Sequence, residues 1–226
     1  MTGRSIAMMV AGLTLLVGAP AVWLVTQPAE TVGDLDAISQ DAAPDTRLPD
    51  PPGELTPSEL AEDPTPEPEV APPPAEPVRL SIPAIGVDAS VDPVGLEDDG
   101  GMEIPHDIHR IGWYEPGVEV GSPTGTAVLS GHVDSREQGE GAFFDLRTME
   151  EGEAINVEHA DGDVSEWRVV ARTVYTKDEL PIDEIFTRFG EPRLALITCG
   201  GAFDNTERSY EDNVVVYAEP VDGASI

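Results

Sequence analysis

Between Glu30 and Pro77 the chain sets 12 prolines and 13 acidic residues in 48 positions, with Arg47 as the only basic residue. Proline removes a backbone donor and fixes φ, while the carboxylates repel one another. Such a stretch buries too little apolar surface to offset the entropy of ordering it. Residues 30–77 therefore read as a disordered linker, and that linker divides the chain into three parts. Fully extended at about 3.1 Å per residue it spans ~150 Å, and as a flexible coil roughly 40 Å. A packed core is left to the 149 residues from Val78 to Ile226, which suffice for one domain.

Before the linker, Ser5 to Ala29 carries no charge, and its apolar heart runs from Ile6 to Val25. At about 1.5 Å per residue, a helix of this length crosses a hydrocarbon core of ~30 Å. Arg4 precedes the run, and Glu30, Asp34 and Asp36 follow it. The positive-inside rule then puts everything after residue 30 outside the cell. Residues 1–29 are expected to form a single-pass anchor in the cell membrane, with an extracellular domain beyond it. Ala19-Pro20-Ala21 also fits a signal-peptide cleavage site, although Val22-Trp23-Leu24-Val25 continues the apolar run past it. Either reading exports the chain.

Charge and cysteine content exclude several functions. The net charge is −32, and nucleic-acid binding needs a basic footprint. The single cysteine excludes an intramolecular disulfide and a Cys-rich zinc site. The part from Val78 onward holds 31 acidic and 10 basic residues, net −21, and Lys177 is the only lysine of the protein. So much carboxylate with so little lysine fits an environment whose salt screens the repulsion.

Within residues 78–226 the pattern is one of short strands. Val78–Ile82 and Val87–Val91 flank a turn at Pro83-Ala84-Ile85-Gly86. Thr126–Ser130 is a continuous apolar run that ends at Gly131-His132. Ala154–Glu158 and Ser165–Val174 surround Asp161-Gly162, a hairpin signal. Leu194–Thr198 and Asn213–Ala218 complete the set. Helix is expected only at Ala142–Met149 and Ile182–Phe189. Strands at this density, punctuated by glycine and proline, imply a mainly β domain in a closed or nearly closed barrel.

Cys199 directly follows the apolar strand Leu194–Thr198 and precedes Gly200-Gly201. A lone cysteine is commonly a small core hydrophobe. This one, however, is exported and stands at a strand exit into a glycine-rich loop, where a rigid sheet holds a side chain for use. A thiol nucleophile needs a proton partner and a donor for the developing oxyanion. Of the four histidines only His132 terminates an apolar strand. His106, His109 and His159 are read as surface residues, and His106-x-x-His109 is a weak metal pair without a third ligand. Arg208 follows Cys199 by nine residues, and a loop between adjacent strands can return its guanidinium to the thiol. The alternative for Arg208 is an ion pair with Glu207 or Asp212.

These residues resemble those of the sortases. Leu196-Ile197-Thr198-Cys199-Gly200-Gly201 carries the likeness, with Gly131-His132 upstream and Arg208 and Tyr210 downstream. The stretch from about Arg79 to Glu219 is similar to the actinobacterial class F group. It opens with Leu80-Ser81-Ile82-Pro83-Ala84-Ile85-Gly86-Val87-Asp88, and Gly112-Trp113-Tyr114 and Asp212-Asn213-Val214-Val215-Val216 also follow the pattern. The resemblance implies an eight-stranded barrel and a membrane-bound cysteine transpeptidase without cofactor or metal. Its substrates would be secreted proteins with a Leu-Pro-x-Thr-Gly-like sorting signal, cut between Thr and Gly. The acyl group would pass through a thioester to an amine, such as that of a peptidoglycan precursor. By position, Cys199 would be the nucleophile, His132 the acid and base, and Arg208 the substrate-orienting, oxyanion-stabilising group. An exported cysteine hydrolase or carboxypeptidase would use the same residues, and a wall-facing binding module would merely bury Cys199.

Overall fold

The short apolar segments become eight strands that close on themselves. The computed structural model describes residues 32–33, 73–98, 100–206 and 208–221. The strands are β1 (Pro77–Ile82), β2 (Val87–Val94), β3 (Ile111–Tyr114) and β4 (Thr126–Gly131), then β5 (Ala154–His159), β6 (Val164–Thr176), β7 (Arg193–Asp204) and β8 (Ser209–Pro220). Around the barrel their order is β6-β8-β7-β4-β3-β2-β1-β5, and β5 pairs back onto β6. Two neighbours are parallel, β7 with β4 and β2 with β3, and all other barrel pairs are antiparallel. The fold is a closed, mainly β, eight-stranded barrel.

Alternation along β7 explains why its sequence is continuously apolar. Leu194 and Leu196 point into the barrel, among Leu80, Ile111, Leu129, Ile155, Trp167 and Val216. Ala195 points outward into a second cluster with Val128, Ala171, Ile185, Val215 and Tyr217. The segment after β6, with its one turn of helix α1 (Ile182–Ile185), covers that outer face. With both faces covered, β4 and the first half of β7 have no position that needs a polar residue.

The expected helices are shorter than their sequence span. Ala142–Met149 forms only a 3₁₀ turn at Leu146–Thr148. Phe143, Leu146 and Met149 are all fully buried; their spacing of three matches the 3₁₀ repeat rather than the α-helical one. Ile182–Phe189 keeps α-helix only through Ile185, and Phe189 is among the exposed apolar residues. Strand β3 was not among the expected strands. It is only four residues long, and Trp113 within it is anchored by its indole N–H donating to the Val118 carbonyl at 3.2 Å.

His159 is not the surface residue its hairpin position implied. It is 6% exposed; one ring nitrogen lies 2.7 Å from the Ala75 carbonyl and the other 2.8 Å from Ser165 Oγ. The chain entering the barrel crosses over it, which is a tertiary contact the local sequence does not encode. The apolar run at residues 5–29 and most of the expected linker lie outside the described residues. Of the linker residues that are described, 73–77 lead into the barrel, with Pro77 already in β1, and Val32 and Gly33 pair with β6. No helix among the described residues is long and apolar enough to cross a membrane.

Candidate active site

Cys199 lies on β7 opposite Asn213 of β8. One residue later the pairing shifts, with a bulge between Gly200 and Phe203. Both glycines leave room for neighbouring side chains. A Cβ on Gly200 would meet Val214 Cγ2 at 2.8 Å, and one on Gly201 would lie 2.1 Å from an Asp212 carboxylate oxygen. Gly201 also has φ +75°, a conformation that glycine adopts at no steric cost. The bulge turns the strand end, and Cys199 is left half-buried at the rim. Burial pushes its thiol up from the ordinary value, and the Asp134 carboxylate adds to this, whereas the ammonium of Lys177 opposes it.

His132 arrives from the end of β4. Gly131 lets the strand pass directly against the buried Phe143 ring, because a Cβ there would stand 2.7 Å from Cδ2. The returning segment then clamps the histidine backbone. The Phe143 N–H donates to the His132 carbonyl at 3.0 Å, and the Gly141 N–H to the Val133 carbonyl at 2.9 Å. Gly141 has no room for a side chain, since a Cβ would be 2.3 Å from the His132 carbonyl oxygen. The imidazole Nε2 lies 3.0 Å from the Pro105 carbonyl. A carbonyl only accepts, so Nε2 carries the hydrogen and a neutral ring keeps its lone pair on Nδ1.

Arg208 sits in the β7–β8 connection with φ +53°, the one non-glycine residue among those described with a positive φ. Holding a β-carbon there costs of order 1 kcal/mol, and such outliers concentrate at functional sites. No carboxylate among the described residues pairs with it, so the expected alternative of an ion pair with Asp212 does not form.

Two segments distant in sequence thus meet. His132, Cys199 and Arg208 line one open cleft of about 360 Å³, together with Asp134, Phe203 and Tyr210. The Tyr210 hydroxyl donates to Asp134 Oδ2 at 2.8 Å, and its ring meets Phe203 edge-on at 5.1 Å. This contact ties the β7–β8 hairpin, which carries Arg208, to the segment following His132. Burial foremost, and then the Asp134 carboxylate, push the Tyr210 phenol up to about 12. Lys177 completes the surround by donating to Ser209 Oγ.

Sequence reading did not assign Asp134 or Lys177 to the site, and it noted Tyr210 only through resemblance. Asp134 and Tyr210 each stand two positions beyond a candidate residue. That was the available signal. Lys177 had none beyond being the only lysine. His106 and His109 are exposed, and among the described residues no three His, Cys, Asp or Glu side chains are grouped to hold a metal ion. A larger cleft, about 750 Å³, is lined by Pro105 together with Asp92, Glu103, His106 and Arg110, and by no cysteine or serine.

A closed barrel with a thiol, an imidazole and a guanidinium gathered at its strand ends has the make-up of a cysteine acyl-transfer protein. The family model described as "Sortase domain" matches residues 80–221, and the chain belongs to the sortase family, whose members are cysteine transpeptidases. Among solved structures it is similar to sortase C-1 from Actinomyces oris, with 22% identity and TM-score 0.51 over 65% of this chain and 75% of that one. It is also similar to sortase A from Corynebacterium diphtheriae, with 18% identity and TM-score 0.51 over 68% of this chain and 63% of that one. Sortase C of Streptococcus pneumoniae gives 15% identity and TM-score 0.51 over 67% and 72%. At these identities the likeness is one of fold. No curated protein sequence matches the chain.

Proposed function

We propose that the protein is a class F sortase, held at the cell membrane by residues 5–29 with its catalytic domain outside. It cleaves a Leu-Pro-x-Thr-Gly-like sorting signal between Thr and Gly and transfers the acyl group to an amine of a cell-wall precursor. The observation that carries this reading is the meeting of Cys199, His132 and Arg208 in one cleft. The class rests on the motif strings at Leu80–Asp88 and Asp212–Val216.

In this reading Cys199 Sγ attacks the threonine carbonyl carbon while its proton passes to His132 Nδ1, the nitrogen left basic by the Pro105 contact. Burial pushes the thiol's pKa up, so the attack depends on a base that takes its proton. Arg208 donates to the oxyanion of the tetrahedral intermediate. Collapse breaks the Thr–Gly C–N bond, the imidazolium protonates the departing amine, and a thioester remains. An acceptor amine then attacks the thioester, loses a proton to His132, and releases Cys199 as the thiol.

The test is mass spectrometry of a sorting peptide incubated with the protein, with and without a glycine-peptide amine. A Thr–amine adduct that requires the acceptor supports the reading, as does a trapped thioacyl enzyme. Equal hydrolysis under both conditions would identify a hydrolase. No cleavage, together with a Cys199 inert to iodoacetamide, would leave a structural thiol.

A further inference from the structure

We propose that the upper edge of β6 is a docking strand for this chain's own linker, occupied by Val32–Gly33. Strand β5 covers β6 only from Val164 to Arg168, and its last bonds join Gly152 and Glu153 to Val169. Yet β6 continues to Thr176, paired on its other side with β8. Beyond Val169, the side of β6 that faced β5 is a sheet edge, a row of backbone donors and acceptors that invites another strand. Val32 pairs there with Arg172, and Gly33 with Ala171, in antiparallel register.

The seat selects its occupant. Gly33 has φ +94°, and a Cβ on it would lie 2.0 Å from the Val170 carbonyl oxygen and 2.6 Å from Ala171 Cα. A side chain is excluded by conformation and by space alike. Between residues 30 and 77 the only other glycine is Gly53, which follows two prolines and so lacks strand chemistry. Thr31-Val32 is the linker's only pair of adjacent β-branched residues, the type that favours a strand. Charge agrees with this placement. Glu30, Asp34 and Asp36 flank the segment in sequence. Opposite Val32 stands Arg172, 7% exposed, whose Nε donates to the Met149 carbonyl while Nη1 has no partner among the described residues.

The clasp changes what the linker does. Only Glu30 and Thr31 separate Ala29 from the paired residues, a span of about 10 Å at full extension. Where residues 5–29 are an anchor, the clasped barrel sits close against the membrane, and the released barrel gains the whole linker's reach, ~150 Å extended. That consequence depends on the anchor; the clasp itself does not.

Hydrogen exchange on the full chain in detergent tests the clasp, with mass spectrometry reading the peptide that spans residues 170–173. In Gly33→Val this peptide should exchange about tenfold faster than in the wild type, with the other barrel peptides unchanged. Val32→Pro, which removes a backbone donor without adding a side chain at position 33, should do the same, and Gly53→Val should not. Equal protection in all four proteins would overturn the proposal. So would protection that rises with protein concentration, since a second copy would then occupy the edge. Cleavage of sorting peptides plays no part in this readout, so the clasp and the proposed activity stand or fall separately.

Discussion

Gly131→Ala isolates the link between barrel packing and the candidate acid–base residue. The new methyl carbon would stand 2.7, 3.0 and 3.1 Å from Cδ2, Cγ and Cε2 of Phe143, whereas carbon atoms pack best at about 3.5–4.0 Å. Phe143 is fully buried in the main core, so ring or strand must give by roughly 1 Å in a close-packed interior. Overpacking of this kind costs about 1–3 kcal/mol. For a domain of 149 residues, at about 2.1 cal/mol/K per residue, that lowers Tm by ~3–10 °C. The Phe143 N–H holds the His132 carbonyl, so the shift reaches the imidazole, and displacement on the 1 Å scale costs turnover about 100-fold. Thermal denaturation and peptide cleavage at 25 °C measure the two effects. Phe143→Leu added to Gly131→Ala should recover part of both losses, a coupling that a double-mutant cycle reads directly. A Tm within 1 °C of the parent together with unchanged cleavage would refute the reasoning.

His132→Ala should lower cleavage by about 10²–10⁴-fold, the usual contribution of a positioned acid–base group, measured as kcat/KM on a sorting peptide. Arg208→Lys keeps the charge but loses the planar fork, so it should remain badly impaired; near-parental activity would make Arg208 a point charge only. Alkylation of Cys199 by iodoacetamide across pH should move in opposite directions in two variants. Lys177→Met removes the cation that lowers the thiol's ionisation, leaving less thiolate and slower labelling at a given pH, while Asp134→Asn removes an anion and speeds it. Sodium chloride from about 0.01 to 1 M shortens the Debye length from about 30 to 3 Å, and it should raise the Tm of a domain carrying net −21. A flat curve would dismiss the repulsion argument, and a response to millimolar calcium alone would indicate a cation site among the carboxylates.

Local pattern was enough to mark seven of the eight strands, all but β3, and to single out His132, Cys199 and Arg208 as candidates. Apolar runs such as Leu194–Thr198 state their own extension, and a Gly-His or Cys-Gly-Gly placed where such a run stops marks a strand end in the sequence itself. Interactions between distant segments had to be folded to be seen. The sequence of Ala142–Met149 suits an α-helix, and only its fit beneath the barrel makes it a 3₁₀ turn with Phe143 against Gly131. His159 looks solvated until the entering chain crosses it at Ala75. Asp134 and Tyr210 line the cleft, and Lys177 stands beside it through Ser209, because β4, β7, β8 and the end of β6 are neighbours around the barrel, an order that no local spacing encodes. Val32–Gly33 is the extreme case. Its composition belongs to a linker, and only the bare edge of β6, more than 130 residues further along the chain, gives its backbone donors and acceptors a partner.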